Sequence, residues 1–143
     1  ARYAYSWVPY QDWCVALFGN GPEQWFGWER NHYDRLVHFA FGPLIGGPLV
    51  GLIQRHLGGG PGAAWLLGLL LITFLATLYE LLEWGVAMTL APEAAEIFNG
   101  QQGDAFDPHA DIALALFGYL LTWPVVGRSP QLRACPSPRT TNL

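Results

Sequence analysis

The stretch from Ala63 to Ala91 constrains this chain most: Glu80 and Glu83 are its only charged residues. A helix needs about 20 mainly apolar residues to cross a bilayer, and this run exceeds that. Two other stretches repeat the pattern. Leu36 to Ile53 carries one ionisable residue, His38, and is followed by Gln54, Arg55 and His56. Ile112 to Val126 is uncharged and is followed by Arg128. It reaches spanning length if its helix begins near Pro108, because proline suits a first helical turn where its missing N–H would be unpaired anyway. The expected fold is all-α, a polytopic helical membrane protein with about three transmembrane helices over 34–56, 63–91 and 108–127. With 143 residues, 52% of them hydrophobic and 13% charged, the chain fits a single membrane domain over 1–128. Residues 129–143, rich in proline and polar groups, read as a poorly ordered cytoplasmic tail.

The segment ahead of the first span is different in kind. Trp7, Trp13, Trp25 and Trp28, with Tyr10 and Phe26, alternate with Pro9, Gly19, Gly21 and Pro22, and no run there is long enough to cross. Trp and Tyr favour the headgroup level, so residues 6–29 are expected to form one or two interfacial helices. In the first span, Gly42 and Gly46, and then Gly47 and Gly51, are spaced four apart. Each pair shares a helix face on which another backbone can approach closely. Pro43 and Pro48 each remove an intrahelical hydrogen bond and should bend that helix. Cys14 and Cys135 have no metal-type spacing and read as free thiols. A net charge of −4 offers no basic face for nucleic acid.

Three successive crossings put the N-terminal segment and the 92–109 link on one side, and the 54–62 turn and the tail on the other. Arg55, Arg128, Arg133 and Arg139 fall on the second side with no acid; Arg2, Arg30 and Arg35 fall on the first among many acids. Arginine excess marks the cytoplasmic side. The C-terminus is therefore expected to be cytoplasmic, and the acid-rich face external or periplasmic.

Whatever the orientation, "RNHYDRLVH", "YELLEW" and "GDAFDPHAD" converge at that acid-rich end. Asp34 and His38 are four apart, Glu80 and Glu83 three, Asp107 and Asp111 four, so each pair can project from one helix face. Glu80 would lie about 16 Å along the axis from Ala91, at 1.5 Å per residue. Carboxylates at that depth face the bundle interior and need a partner. Asp34, His38, Glu80, Glu83, Asp104, Asp107 and Asp111 are therefore the candidate ligands of a divalent metal ion, with Mg, Mn, Fe and Zn all open. Arg30 and Arg35 would bind an anion or pair with the acids. A bound ion could polarise a phosphoryl oxygen or activate water, giving a protein that acts on a lipid or lipid-linked substrate. The alternative is a non-catalytic accessory subunit packed by helix contacts among other membrane subunits, with the arginines simply neutralising the acids. No phosphate loop and no HExxH, GxSxG or cysteine-nucleophile motif occurs, so whether the chain is an enzyme stays open.

The blocks "YAYSWVPYQDW", "RNHYDRLVHFAFG" and "YELLEWGVAMTLAPEAAEIFNGQQGDAFDPHADIALALFG" resemble the YjdF-type bacterial inner-membrane proteins over about Tyr3 to Gly118. More distantly, the Asp34-to-Phe39 start and the later acids are similar to VanZ-like membrane proteins. The resemblance implies a polytopic helical protein of the bacterial inner (cytoplasmic) membrane, its acidic cluster toward the periplasm, with signature residues Asp34, His38, Glu80, Glu83, Gln102, Gly103, Asp104, Asp107 and Asp111, and no settled activity. Members of that family usually carry further hydrophobic segments upstream of the "YAY" block, which implies a truncated or divergent member here.

Overall fold

The structure, a computed structural model, describes residues 7–28, 30–89 and 104–126. Two short helices, α1 (Tyr10–Phe18) and α2 (Pro22–Phe26), precede three long ones, and no strand occurs among the described residues. The long elements are α3 (Tyr33–Leu57), α4 (Pro61–Thr89) and α5 (Asp107–Leu120), the last continued by a single turn, α6 (Trp123–Val126). Counting α5 and α6 as one span, three segments are long and apolar enough to cross a membrane. The protein is a polytopic helical membrane protein. The link over 90–103, with Gln102 and Gly103, and the tail over 129–143 lie outside the described residues.

Sequence registers explain the packing. Most buried positions of α3, Asp34, His38, Gly42, Gly46, Val50 and Gln54, fall every fourth residue, with Ile53 beside them. The same step runs through Ala64, Gly68, Ile72, Ala76 and Glu80 of α4, with Glu83 beside it, and through Asp107, Asp111, Ala115 and Tyr119 of α5, with Gly118 beside it. A four-residue step follows one ridge of a helix surface, and such ridges seat in the grooves of a neighbour. Each of the three helices packs on the other two. Every stripe is ionisable at one end of the bundle and small or apolar along the rest, apart from Gln54. At the opposite end the core is Val50, Ile53, Ala64, Ile72, Tyr119 and Val126. There the Tyr119 hydroxyl donates to the Trp65 carbonyl at 2.6 Å, and Trp65 Nε1 donates to Thr122 Oγ1 at 3.2 Å.

The closest backbone approach joins α3 to α5. A Cβ added at Gly42 would fall on the Ala115 carbonyl oxygen and the Tyr119 amide, and one at Gly118 on the Phe39 carbonyl oxygen. Pro43 has no N–H to offer that Phe39 carbonyl. Proline thus leaves an acceptor bare, and Gly118 lets a neighbouring backbone cover it, while α3 remains continuous through Pro43 and Pro48. Gly46 packs on the Tyr119 ring, as Gly68 does on its hydroxyl. Gly47 differs from the expectation: a Cβ there would meet nothing within 4 Å, because it sits one position off the buried stripe. Gly51 is half-buried.

The third span also departs from one unbroken helix. It turns at Leu121 and Thr122, where the Thr122 amide and hydroxyl both turn back to the Tyr119 carbonyl. Pro124 accounts for the break: it has no N–H to offer the Leu120 carbonyl four residues earlier, and its ring crowds that carbonyl.

In the N-terminal segment, α1 ends at Gly19 with φ 80° and α2 at Gly27 with φ 66°, left-handed conformations that glycine adopts without a Cβ penalty. Trp13, Leu17, Phe18, Trp25 and Phe26 are all exposed. The segment is tied to the start of α3. Asn31 donates to the Val8 carbonyl at 2.8 Å and accepts from the Tyr33 amide at 2.9 Å. The His32 amide donates to the Tyr10 hydroxyl at 3.2 Å. These contacts set where Arg30 and the first turn of α3 stand.

A buried acid and histidine cluster as the candidate functional site

At 1.5 Å per residue the 29 residues of α4 extend about 43 Å, more than the roughly 30 Å of a hydrocarbon core. Its acid-bearing end therefore reaches the level at which α3 and α5 begin. Asp34 and Asp107 lie in the first turns of those helices, with His38 and Asp111 one turn deeper. The positive ends of two helix dipoles thus favour carboxylates at this level. Glu80 and Glu83 come from α4, and both are buried.

The charged groups divide into two arrays. In the outer one, Arg30 reaches Asp104 at 3.1 Å and Asp107 at 2.7 Å, while Arg35 reaches the same two at 2.6 and 3.2 Å. Two guanidiniums and two carboxylates form one network. It fastens the loop before α3, the first turn of α3 and the start of α5. Asp104 is held below its ordinary value of 3.8, first by the Phe106 amide and then by Arg35. His32, against the Trp28 ring, is held below its ordinary 6.5 by burial and by Arg35 and Arg30.

The inner array holds Asp34, His38, Glu80, Glu83 and Asp111. His38 Nε2 stands 3.5 Å from Asp34 Oδ1 and 3.4 Å from Glu80 Oε1, between an acid of its own helix and one of α4. Each of Asp34, His38 and Asp111 offers a ligand atom within 4.8 Å of the other two, and all three residues are buried. Metal–oxygen and metal–nitrogen bonds run about 2.0–2.6 Å, so the ligands of one ion stand roughly 3–5 Å apart. Oδ2 of Asp34 and Oδ1 of Asp111 are buried without a hydrogen-bond partner among the described residues, and Oδ1 of Asp34 and Oε1 of Glu80 have only the long contact with His38 Nε2. Asp34, Glu80 and Asp111 are 3%, 7% and 1% exposed, so ordinary solvation does not supply one either.

Asp107 joins the arrays: it is pinned by both arginines and lies within Coulombic reach of Asp34, Glu80, Glu83 and Asp111. At an effective dielectric near 20, two like charges about 4 Å apart repel by about 4 kcal/mol. Six carboxylates around two guanidiniums therefore need further positive charge, from protons or a cation.

Of the residues expected from sequence, Asp34, His38, Glu80, Glu83 and Asp111 come together in the inner array. Asp104 stands with the arginines, on the outer side of Asp107. Arg30 and Arg35 are engaged as ion pairs. His109 lies near Phe106 at the start of α5, with ring centroids 6.0 Å apart. Tyr79 was not anticipated from sequence. It gives Glu83 a side-chain hydrogen bond and meets the His38 ring edge-on, with centroids 5.5 Å apart. Its position one helical turn before Glu83 was the available signal.

Comparison with known proteins places the same blocks in a wider context. The family described as Predicted membrane protein (DUF2238) matches residues 1–129. The inner membrane protein YjdF of Escherichia coli (strain K12) is 31% identical over 123 residues, covering 85% of this chain and 54% of that protein. The chain thus spans about half the length of that curated relative. No solved structure matches.

Proposed function

We propose that this chain, which belongs to the family of predicted membrane proteins DUF2238, binds a divalent cation in its inner acid–histidine array and uses it on a lipid or lipid-linked substrate at one membrane face. The observation that carries the reading is the triad Asp34, His38 and Asp111: three buried ligand atoms within 4.8 Å of one another, contributed by α3 and α5. Oδ2 of Asp34 and Oδ1 of Asp111, buried without a hydrogen-bond partner among the described residues, supply its second support. Glu80 and Glu83 would complete the coordination from α4. An oxygen-rich donor set with one imidazole suits Mn²⁺ or Mg²⁺ better than a thiophilic ion. At the interface such an ion could polarise a phosphoryl oxygen of a head group. Arg30, Arg35, Asp104 and Asp107 would form the brace that holds the site's outer wall.

The relative's name is that of an inner-membrane protein, and we assign this chain to the same membrane, with the arginine-bearing 54–62 turn and C-terminus cytoplasmic and the acid array periplasmic. The test is titration of the purified full chain with Mn²⁺ after chelator treatment. Binding at about one ion per chain, weakened about tenfold or more in Asp111→Asn and Asp34→Asn but retained in Asp104→Asn, is the expected result. Absence of saturable binding in a folded protein, or equal loss in all three variants, would overturn it.

A further inference from the structure

On the side of the α3–α4 pair lies a groove that the cation site does not use. It has a volume of about 350 Å³ and is walled by Val37 and Phe41 of α3 and Leu75, Leu78 and Leu82 of α4. That volume falls within the range of small-molecule sites. The lining is apolar except at His38 and Tyr79. His38 is a candidate ligand of the inner array, and Tyr79 is the hydrogen-bond partner of its Glu83. From Leu82 to Leu75 the groove runs about 10 Å along α4, from the level of the acids toward the middle of the span.

We propose that this groove seats the hydrocarbon chain of a membrane phospholipid, placing its head group beside the inner array. The fate of the head group rests on the proposed cation site, and the seat of the chain on the groove alone. Both walls belong to segments long and apolar enough to cross a membrane, so the medium at Leu78 and Leu82 is lipid. Leu66, Leu70, Phe74 and Leu81, exposed on the remaining outer face of α4, are not among the residues that line the groove, and none belongs to the array. The groove pairs an apolar cavity with polar groups at one end, the arrangement that fixes an amphiphile in one orientation.

The full chain in detergent is given trace phosphatidylcholine bearing a photoactivatable diazirine on the first half of one acyl chain, with unlabelled phosphatidylcholine as competitor, and adducts are mapped by mass spectrometry. The expected result is competed labelling concentrated at Phe41, Leu75 and Leu78. It falls about fivefold or more in the groove-filling variants Leu78→Trp and Leu82→Trp. It is unchanged by Leu66→Trp and by chelator. Even, uncompeted labelling that includes Leu66, Leu70, Phe74 and Leu81 would overturn the proposal. So would an unlabelled groove beside a labelled outer face, the result expected if a protein helix fills it. Mn²⁺ titration of the same preparation separates the two readings. Labelled groove without Mn²⁺ binding removes the cation site alone; Mn²⁺ binding with an unlabelled groove removes the lipid site alone.

Discussion

Replacing Gly118 by alanine tests the helix crossing that sets the site. The new Cβ would fall on the Phe39 carbonyl oxygen and within 2.8 Å of Pro43 Cδ. Neither neighbour can swing aside as the end of a flexible side chain could, so α3 and α5 must part. Overpacking in a well-packed core costs about 1–3 kcal/mol, and a backbone obstacle belongs at the upper end. Alanine's better helix propensity returns about 1 kcal/mol, leaving a net destabilisation of about 2 kcal/mol. That corresponds to roughly a 30-fold loss in the folded-to-unfolded ratio. Gly85→Ala is the matched control. Its Cβ meets nothing within 4 Å, so the propensity gain stands alone and the sign reverses, by up to about 1 kcal/mol. Reversible unfolding in mixed micelles, followed by tryptophan fluorescence and circular dichroism, measures both. Equal effects of the two substitutions, or a neutral Gly118→Ala, would refute the crossing.

Three further outcomes are expected. Asp104 binds fewer protons folded than unfolded, so the stability it contributes is present above its unfolded value near 3.8 and is lost as pH falls through its lower folded value. Acid unfolding curves of wild type and Asp104→Asn should therefore converge only below that range, and convergence at neutral pH would contradict the brace. Tyr119→Phe removes the hydrogen bond to the Trp65 carbonyl and should cost about 0.5–1.5 kcal/mol in the same unfolding assay, with Mn²⁺ affinity unchanged because the bond lies at the far end of the bundle. Cys14 precedes the first span and Cys135 follows the third, so a membrane-impermeant maleimide applied to spheroplasts should modify Cys14 and spare Cys135; the reverse pattern would invert the proposed orientation.

Most of the architecture was legible in the sequence because bilayer thickness and apolar length are compared directly. Three runs sufficed for three spans. The pairs Asp34–His38 and Asp107–Asp111, each four apart, already belonged to the stripes that organise the packing. Those stripes continue through Gly42, Gly46 and Val50 on one helix and Ala115 and Tyr119 on another. The partition of the acids was not legible. Periodicity gives the face on which a residue lies, but the axial offset between helices decides that Asp107 meets Arg30 and Arg35 while Asp111 meets Asp34. Arg30 precedes its helix, where no period applies. Gly47 was misplaced by pairing it with Gly51, a register adjacent to the buried one. Gly118 gave no local signal: its role depends on Pro43, 75 positions earlier, leaving the Phe39 carbonyl without an intrahelical donor.

In the proposed site one imidazole and two carboxylates from two helices share an ion. Pulsed electron paramagnetic resonance of Mn²⁺-loaded protein, with histidine labelled by ¹⁵N, reads that arrangement directly. A single histidine nitrogen coupled to the metal, lost in His38→Gln and kept in His32→Gln and His109→Gln, is the predicted spectrum. Bound Mn²⁺ without a histidine coupling, or one that survives His38→Gln, would contradict it.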